Sequence, residues 1–151
     1  GDVACALMAL VATVELADGR KQPVDSVMRA HGSVFVSAIH VPVPEDGLLF
    51  KKVSRVKPKG VSLMSIAAVV PRRGGRIGTA RIVFNGMGPR PMRAAAAEQA
   101  LTGRPVARET IDRAAAAAAR GLDPQDDPVA TAWYRREVAS VHLGRLLEEI
   151  V

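Results

Sequence analysis

The stretch that decides the fold is Val61-Ser62-Leu63-Met64-Ser65-Ile66-Ala67-Ala68-Val69-Val70. It is apolar at both odd and even positions, and successive side chains of a strand point to opposite faces, so it predicts a central strand covered on both sides. Pro71 to Gly75 reads as a turn by composition, and Arg76 to Phe84 returns as the partner strand. Upstream, Leu48 to Val56 predicts a further strand with Lys51 and Lys52 at its centre, joined to the central strand by the loop Lys57-Pro58-Lys59-Gly60. These three strands make an antiparallel meander, and Gly86, Gly88, Pro89 and Pro91 form the loop that leaves it.

Beyond that loop the pattern turns helical and alanine-rich. Met92 to Leu101 and Ala107 to Arg120 are expected helices, the second closed by Gly121, and the run Ala114 to Ala119 lets a helix pack closely on the sheet. Asp127-Pro128 reads as a helix start, with Asp at the N-cap and Pro at the first helical position. The helix that follows carries the stripe Val129, Ala132, Ala139, Leu143, Leu146 and Ile150, interrupted by Arg136, which should therefore be paired. On the amino-terminal side, Gly1 to Leu10 reads as a helix and Val11 to Leu16 as a strand closed by the turn at Asp18-Gly19. A helical turn is expected near Asp25 to Arg29, then a strand from Ser33 to Val41 that ends at Pro42-Val43-Pro44. The fold class is α+β: a small antiparallel three-strand meander backed by carboxy-terminal helices, preceded by mixed strand and helix.

With 151 residues, 48% of them hydrophobic, the chain can build a real core, and with only 3% aromatic that core is aliphatic. No apolar run approaches the ~18 residues of a membrane span. The start lacks the basic segment of a signal peptide. Gly1 in place of an initiator Met reads as a beginning in mid-domain. One cysteine, Cys5, excludes an internal disulfide and fits a cytoplasmic protein. The net charge of +6 is unevenly spread: between Lys51 and Ala97 there are eleven basic residues and no acid. That block reads as a solvated face or as contact with an anionic cofactor or partner subunit. Nucleic acid is a poorer fit, because Phe84 alone offers an aromatic ring inside the block.

Chemistry is sparse. His31, His40 and His142 are scattered without metal-ligand spacing, and Cys5 has no basic neighbour in sequence to lower its pKa. Asp123, Asp126 and Asp127 sit among prolines, as a helix-capping loop does. Residue by residue, the chain reads as a module of a larger assembly rather than a self-sufficient enzyme.

Several segments, taken in order, carry a resemblance. Gly1-Asp2-Val3-Ala4-Cys5-Ala6-Leu7-Met8, the strand Val34 to Val41 ending in Pro42, Phe50-Lys51 with Arg55, Ala80-Arg81-Ile82, Pro91-Met92-Arg93-Ala94, and Tyr134-Arg135-Arg136 together resemble the FAD-binding (medium) subunit of the molybdenum hydroxylases. That family includes carbon monoxide, xanthine and aldehyde dehydrogenases. The resemblance implies that residues 1–44 are the tail of a FAD-binding domain and residues 45–151 a CO dehydrogenase flavoprotein carboxy-terminal-like domain. It also implies that the two glycine-rich segments that wrap the FAD pyrophosphate lie before the Gly1-Asp2 position, so the FAD site in this chain is incomplete without that amino-terminal part.

Three cofactor contacts follow from the resemblance. Asp2 matches an acidic residue that helps fix FAD, Val36 an apolar residue lying against the isoalloxazine ring, and Lys51 a lysine near that ring, where a positive charge favours the reduced, anionic flavin. The implied partners are a large subunit holding the molybdenum cofactor and a small subunit holding 2Fe-2S clusters, with electrons passing through FAD to an acceptor. A subunit-docking module of the same fold without catalytic role is the alternative, and a basic nucleic-acid-binding domain a more distant one.

Overall fold

The computed structural model describes residues 1–30, 33–56 and 60–151. His31 and the expected loop at 57–59 lie outside the described residues. The central strand forms where the double-sided apolar run places it: β5 (Ser62–Val69) pairs antiparallel with β4 (Leu49–Ser54) on one side and with β8 (Arg81–Asn85) on the other. Its two faces meet different partners. Met64, Ile66 and Ala68, with Ile82 and Phe84 of β8, pack against the carboxy-terminal helices α3 (Ala95–Leu101), α4 (Arg108–Ala116) and α5 (Ala132–Leu147). Ala67 and Val69, with Val83, pack against Cys5, Met8 and Ala9 of α1 (Asp2–Ala9). Ile66, Ile82 and Phe84 are fully buried, and each contributes about 1.5–3 kcal/mol of transfer free energy. The fold is therefore α+β, with the sheet sandwiched between α1 and the carboxy-terminal helices.

The meander departs from its expected form in two places. The run expected as one strand from Arg76 to Phe84 is broken. Arg76–Ile77 (β7) turns back on Arg72–Arg73 (β6) as a two-residue hairpin through Gly74 and Gly75, both at positive φ. The main sheet resumes only at Arg81, because Gly78 N–H donates to Pro71 O and Ala80 N–H donates to Thr102 Oγ1. The sheet also gains a fourth strand. Met92–Arg93 (β9), expected as the start of a helix, pairs with Phe84 and Val83 of β8. Buried Glu98 holds it there: its carboxylate accepts from Arg93 Nε and Nη2 and from the Ile82 backbone N–H, so a charge-assisted network overrides the helical propensity of Met92.

The helices are trimmed relative to expectation. α4 ends at Ala116 rather than Arg120, as the next residues tighten into i−3 bonds (Ala117 N to Ala114 O, Ala118 N to Ala115 O). α5 begins at Ala132, capped by Thr131, whose Oγ1 accepts from Tyr134 N–H; Asp127-Pro128 does not start it. Asp127 Oδ1 instead accepts from the Val129 and Ala130 N–H groups in a side-chain turn, and its Oδ2 holds Arg135. Arg136 is paired as expected, to Asp123, but on the surface. The arginine that enters the interior is Arg135, only 3% exposed.

Residues 1–44 add a second sheet in the order β2-β1-β3, from Lys21–Pro23, Thr13–Leu16 and Val36–His40, with the short helix α2 (Val24–Arg29) after β2. β2 was not foreseen, since three residues ending in proline carry no strand signal.

Candidate functional site

Asp2 occupies the first turn of α1, where a carboxylate is favoured by the helix dipole. Its Oδ2 lies 3.3 Å from Lys52 Nζ on β4. Burial works against the charge of Asp2, and the Ser62 and Ser65 hydroxyls together with Lys52 more than offset it, holding the carboxyl below the ordinary carboxylate range. Asp2 Oδ1 and Ser65 Oγ are nevertheless buried without a hydrogen-bond partner of good geometry.

Lys51 is one residue from Lys52 and therefore on the other face of β4. It stands opposite Ile66, whose side chain faces the carboxy-terminal helices, whereas Lys52 stands opposite Ser65. Its charge is felt at His142 of α5. Desolvation first, then Lys51 and Arg145, push that imidazole's pKa below its usual value, so it is neutral at neutral pH. Lys51 makes no ion pair among the described residues, which leaves its charge available to an incoming group.

Val36 starts β3 and is 47% exposed. It is one of a run: Val34, Phe35 (84%), Ile39, Val41 and Val43 (93%) are exposed on or beside the same strand. Among the described residues β3 is hydrogen-bonded only to β1, so its outer backbone edge has no partner strand there. The structure thus spreads Asp2, Val36 and Lys51 over α1, the open strand and the helix-facing side of β4. It brings Asp2 to Lys52, a partner that sequence reasoning did not single out. The openness of β3 was also missed, although apolar residues at both parities (Val34 and Val36, Phe35 and Ile39) already signal a strand needing cover on both faces.

Other chemistry is absent from the described residues. No group of three or more His, Cys, Asp or Glu converges as a metal site, and no helix is long and apolar enough to cross a membrane. Cys5 is fully buried, donates to Val83 O at 3.2 Å, and has its thiol pushed up to about 11 by burial, which removes it as a nucleophile.

Comparison with known proteins agrees with this architecture. The chain is 28% identical over 117 residues to the glyceraldehyde dehydrogenase medium chain of Sulfolobus acidocaldarius, covering 76% of this chain and 41% of that one. Among solved structures it superposes on CO dehydrogenase from Oligotropha carboxidovorans with a TM-score of 0.80 at 26% identity, covering 99% of this chain and 56% of that one. The match to carbon monoxide dehydrogenase from Hydrogenophaga pseudoflava has a TM-score of 0.81 at 26% identity, covering 99% and 59%. The chain thus spans about half the length of the relatives it matches. The profile of the CO dehydrogenase flavoprotein C-terminal domain matches residues 49–150, the four-stranded sheet and its helices, and this chain belongs to that family.

Proposed function

We propose that this chain is part of the FAD-containing electron-transfer subunit of a molybdenum hydroxylase-type dehydrogenase, with residues 1–44 closing a FAD-binding domain and residues 45–151 forming the carboxy-terminal domain. The observation that supports this best is β3: an apolar strand with both faces exposed and, among the described residues, one edge unpaired is an unfinished sheet. The polypeptide corresponding to the uncovered part of the relatives' length, which would carry the pyrophosphate-wrapping segments, is the cover we assign to it.

Toward FAD, Val36 offers an exposed aliphatic surface to a planar ring and Lys51 a cation without an ion pair among the described residues, while Asp2, one carboxylate oxygen buried and the other held by Lys52, would act through that pair. Bound FAD would supply the exchange of electrons between 2Fe-2S clusters on a small subunit and a soluble acceptor, the substrate being hydroxylated at a molybdenum cofactor on a large subunit. The part of this chain is to cover one side of the ring, exclude water there, and place a positive charge near it. The test is made in the complete complex. Lys51→Ala should shift the flavin potential while hydroxylation with an artificial acceptor at the molybdenum site is retained; equal loss of both activities makes Lys51 structural and overturns its assignment. The second reading, a docking module without flavin, predicts an unchanged potential and a loss of subunit association.

A further inference from the structure

A cleft outside the regions assigned to FAD runs between the end of α1, the start of α2 and strands β8 and β9. Its narrow part, about 170 Å³, is floored by Met8, Val11, Ala12 and Val24 and flanked by Asp25, Arg81 and Arg93. It continues past Asp25 and Arg93 into a wider trough of about 570 Å³ beside Arg29 and Glu98. The two together fall in the size range of small-molecule sites.

The placement of the two arginines follows from the sheet. Arg93 stands opposite Val83, and Arg81 lies two residues from Val83 on the same strand, so all three share the face that α1 covers. α1 ends just short of both arginines. Its last carbonyls do not bind them: Val11 N–H donates to Met8 O and Ala12 N–H to Leu7 O, closing the helix end on itself. The Arg81 guanidinium accordingly donates to no protein acceptor among the described residues. Arg93 spends Nε and Nη2 on Glu98 and keeps Nη1 free. Asp25 is engaged by Arg29. The cleft therefore combines an aliphatic floor with one unused guanidinium fork and a free donor from a second. Val11 adds its side chain to that floor while holding φ at +55°, a backbone conformation that disfavours a β-branched residue.

We infer that this cleft binds a small carboxylate with a short aliphatic body, the carboxylate taken by Arg81 and Arg93 and the body laid on Met8, Val11 and Val24. A planar carboxylate matches the guanidinium fork, and the floor adds affinity for each methylene placed on it. The inference is independent of the flavin reading.

The test is an NMR titration of the 151-residue chain with sodium butyrate, acetate and inorganic phosphate at fixed ionic strength. Butyrate should shift resonances of residues 8–12, 24–25, 81 and 93, with Kd on the order of 1 mM for so small a ligand. Acetate and phosphate, lacking the aliphatic body, should bind several-fold more weakly. Arg81→Gln should weaken butyrate roughly tenfold. Asp25→Asn, an isosteric change at a half-buried position, should tighten it by removing a like charge. The proposal is overturned by shifts spread equally over the surface arginines 72, 73 and 76, by equal affinity for the three anions, or by variants that bind like the parent.

Discussion

Asp2 Oδ2 and Lys52 Nζ lie 3.3 Å apart and join the amino-terminal helix to the edge strand of the main sheet. Sequence places these residues fifty apart, and the pair is how residues 1–44 and the family domain share a charge. Because the folded pKa of Asp2 is lowered relative to an unfolded value of about 3.9, the pair's contribution is complete above that value and disappears as pH falls through the folded pKa. A double-mutant cycle with Asp2→Asn and Lys52→Met should give a coupling of about 0.5–1 kcal/mol at neutral pH that declines as the pH is taken down through the folded pKa of Asp2, read from urea unfolding. A coupling that persists in acid would assign the effect to packing.

Val11 holds a conformation that suits glycine, at the position just past the α1 cap. Val11→Gly should raise stability by about 1 kcal/mol, the relief of left-handed strain exceeding glycine's extra chain entropy. A shift of the urea midpoint to lower concentration would mean that the Val11 side chain packs better than its partial exposure implies.

Arg135 and Arg136 are adjacent and should respond very differently. Arg135 donates to the carbonyls of Leu63, Gln125 and Ala130 and to Asp127 from a buried position, tying α5 to β5 and to the loop before it. Arg135→Ala leaves those acceptors unmet and should cost about 3 kcal/mol or more. Arg136→Ala loses only an exposed pair with Asp123 and should stay within ~0.5 kcal/mol. Chemical denaturation of the two variants side by side checks the contrast.

Cys5 should be inert in the folded chain. With its thiol pushed up to about 11, only about one molecule in a thousand carries a thiolate at pH ~8, and the sulfur is fully buried besides. Labelling with a disulfide reagent should therefore follow global unfolding and slow as the protein is stabilised. Rapid labelling under native conditions would show that α1 detaches from the sheet.

These residues also show how far the sequence could be read. The double-sided run at residues 61–70 placed the central strand and its two covers, because burial on both faces leaves a local signature in the chain. What escaped depends on long-range placement. Strand β9 forms because Met92 and Arg93 pair with Phe84 and Val83, and Glu98 ties Arg93 to the Ile82 N–H, placements that the residues around Met92 do not record. Strand parity separates Lys51 from Lys52, but which of them meets Asp2 is set by where α1 docks. Arg136, rather than Arg135, broke the expected stripe because the stripe was begun at Val129, before the helix starts at Ala132, whereas the buried face runs through Arg135, Ala139, Leu143 and Leu146. The resemblance supplied Asp2, Val36 and Lys51, and the structure supplied the open strand beside Val36.

The central claim is that this chain works as part of a flavin-containing oxidoreductase subunit. Isolation of the native protein from its source, with cofactor and subunit analysis, tests it most directly. The account predicts that the chain co-purifies stoichiometrically with FAD, a molybdenum-cofactor subunit and a 2Fe-2S subunit, and that the backbone amides of Val36 to His40 exchange far more slowly in that complex than in the chain alone. A chain that purifies from its source colourless and alone, with β3 exchanging freely, would contradict it.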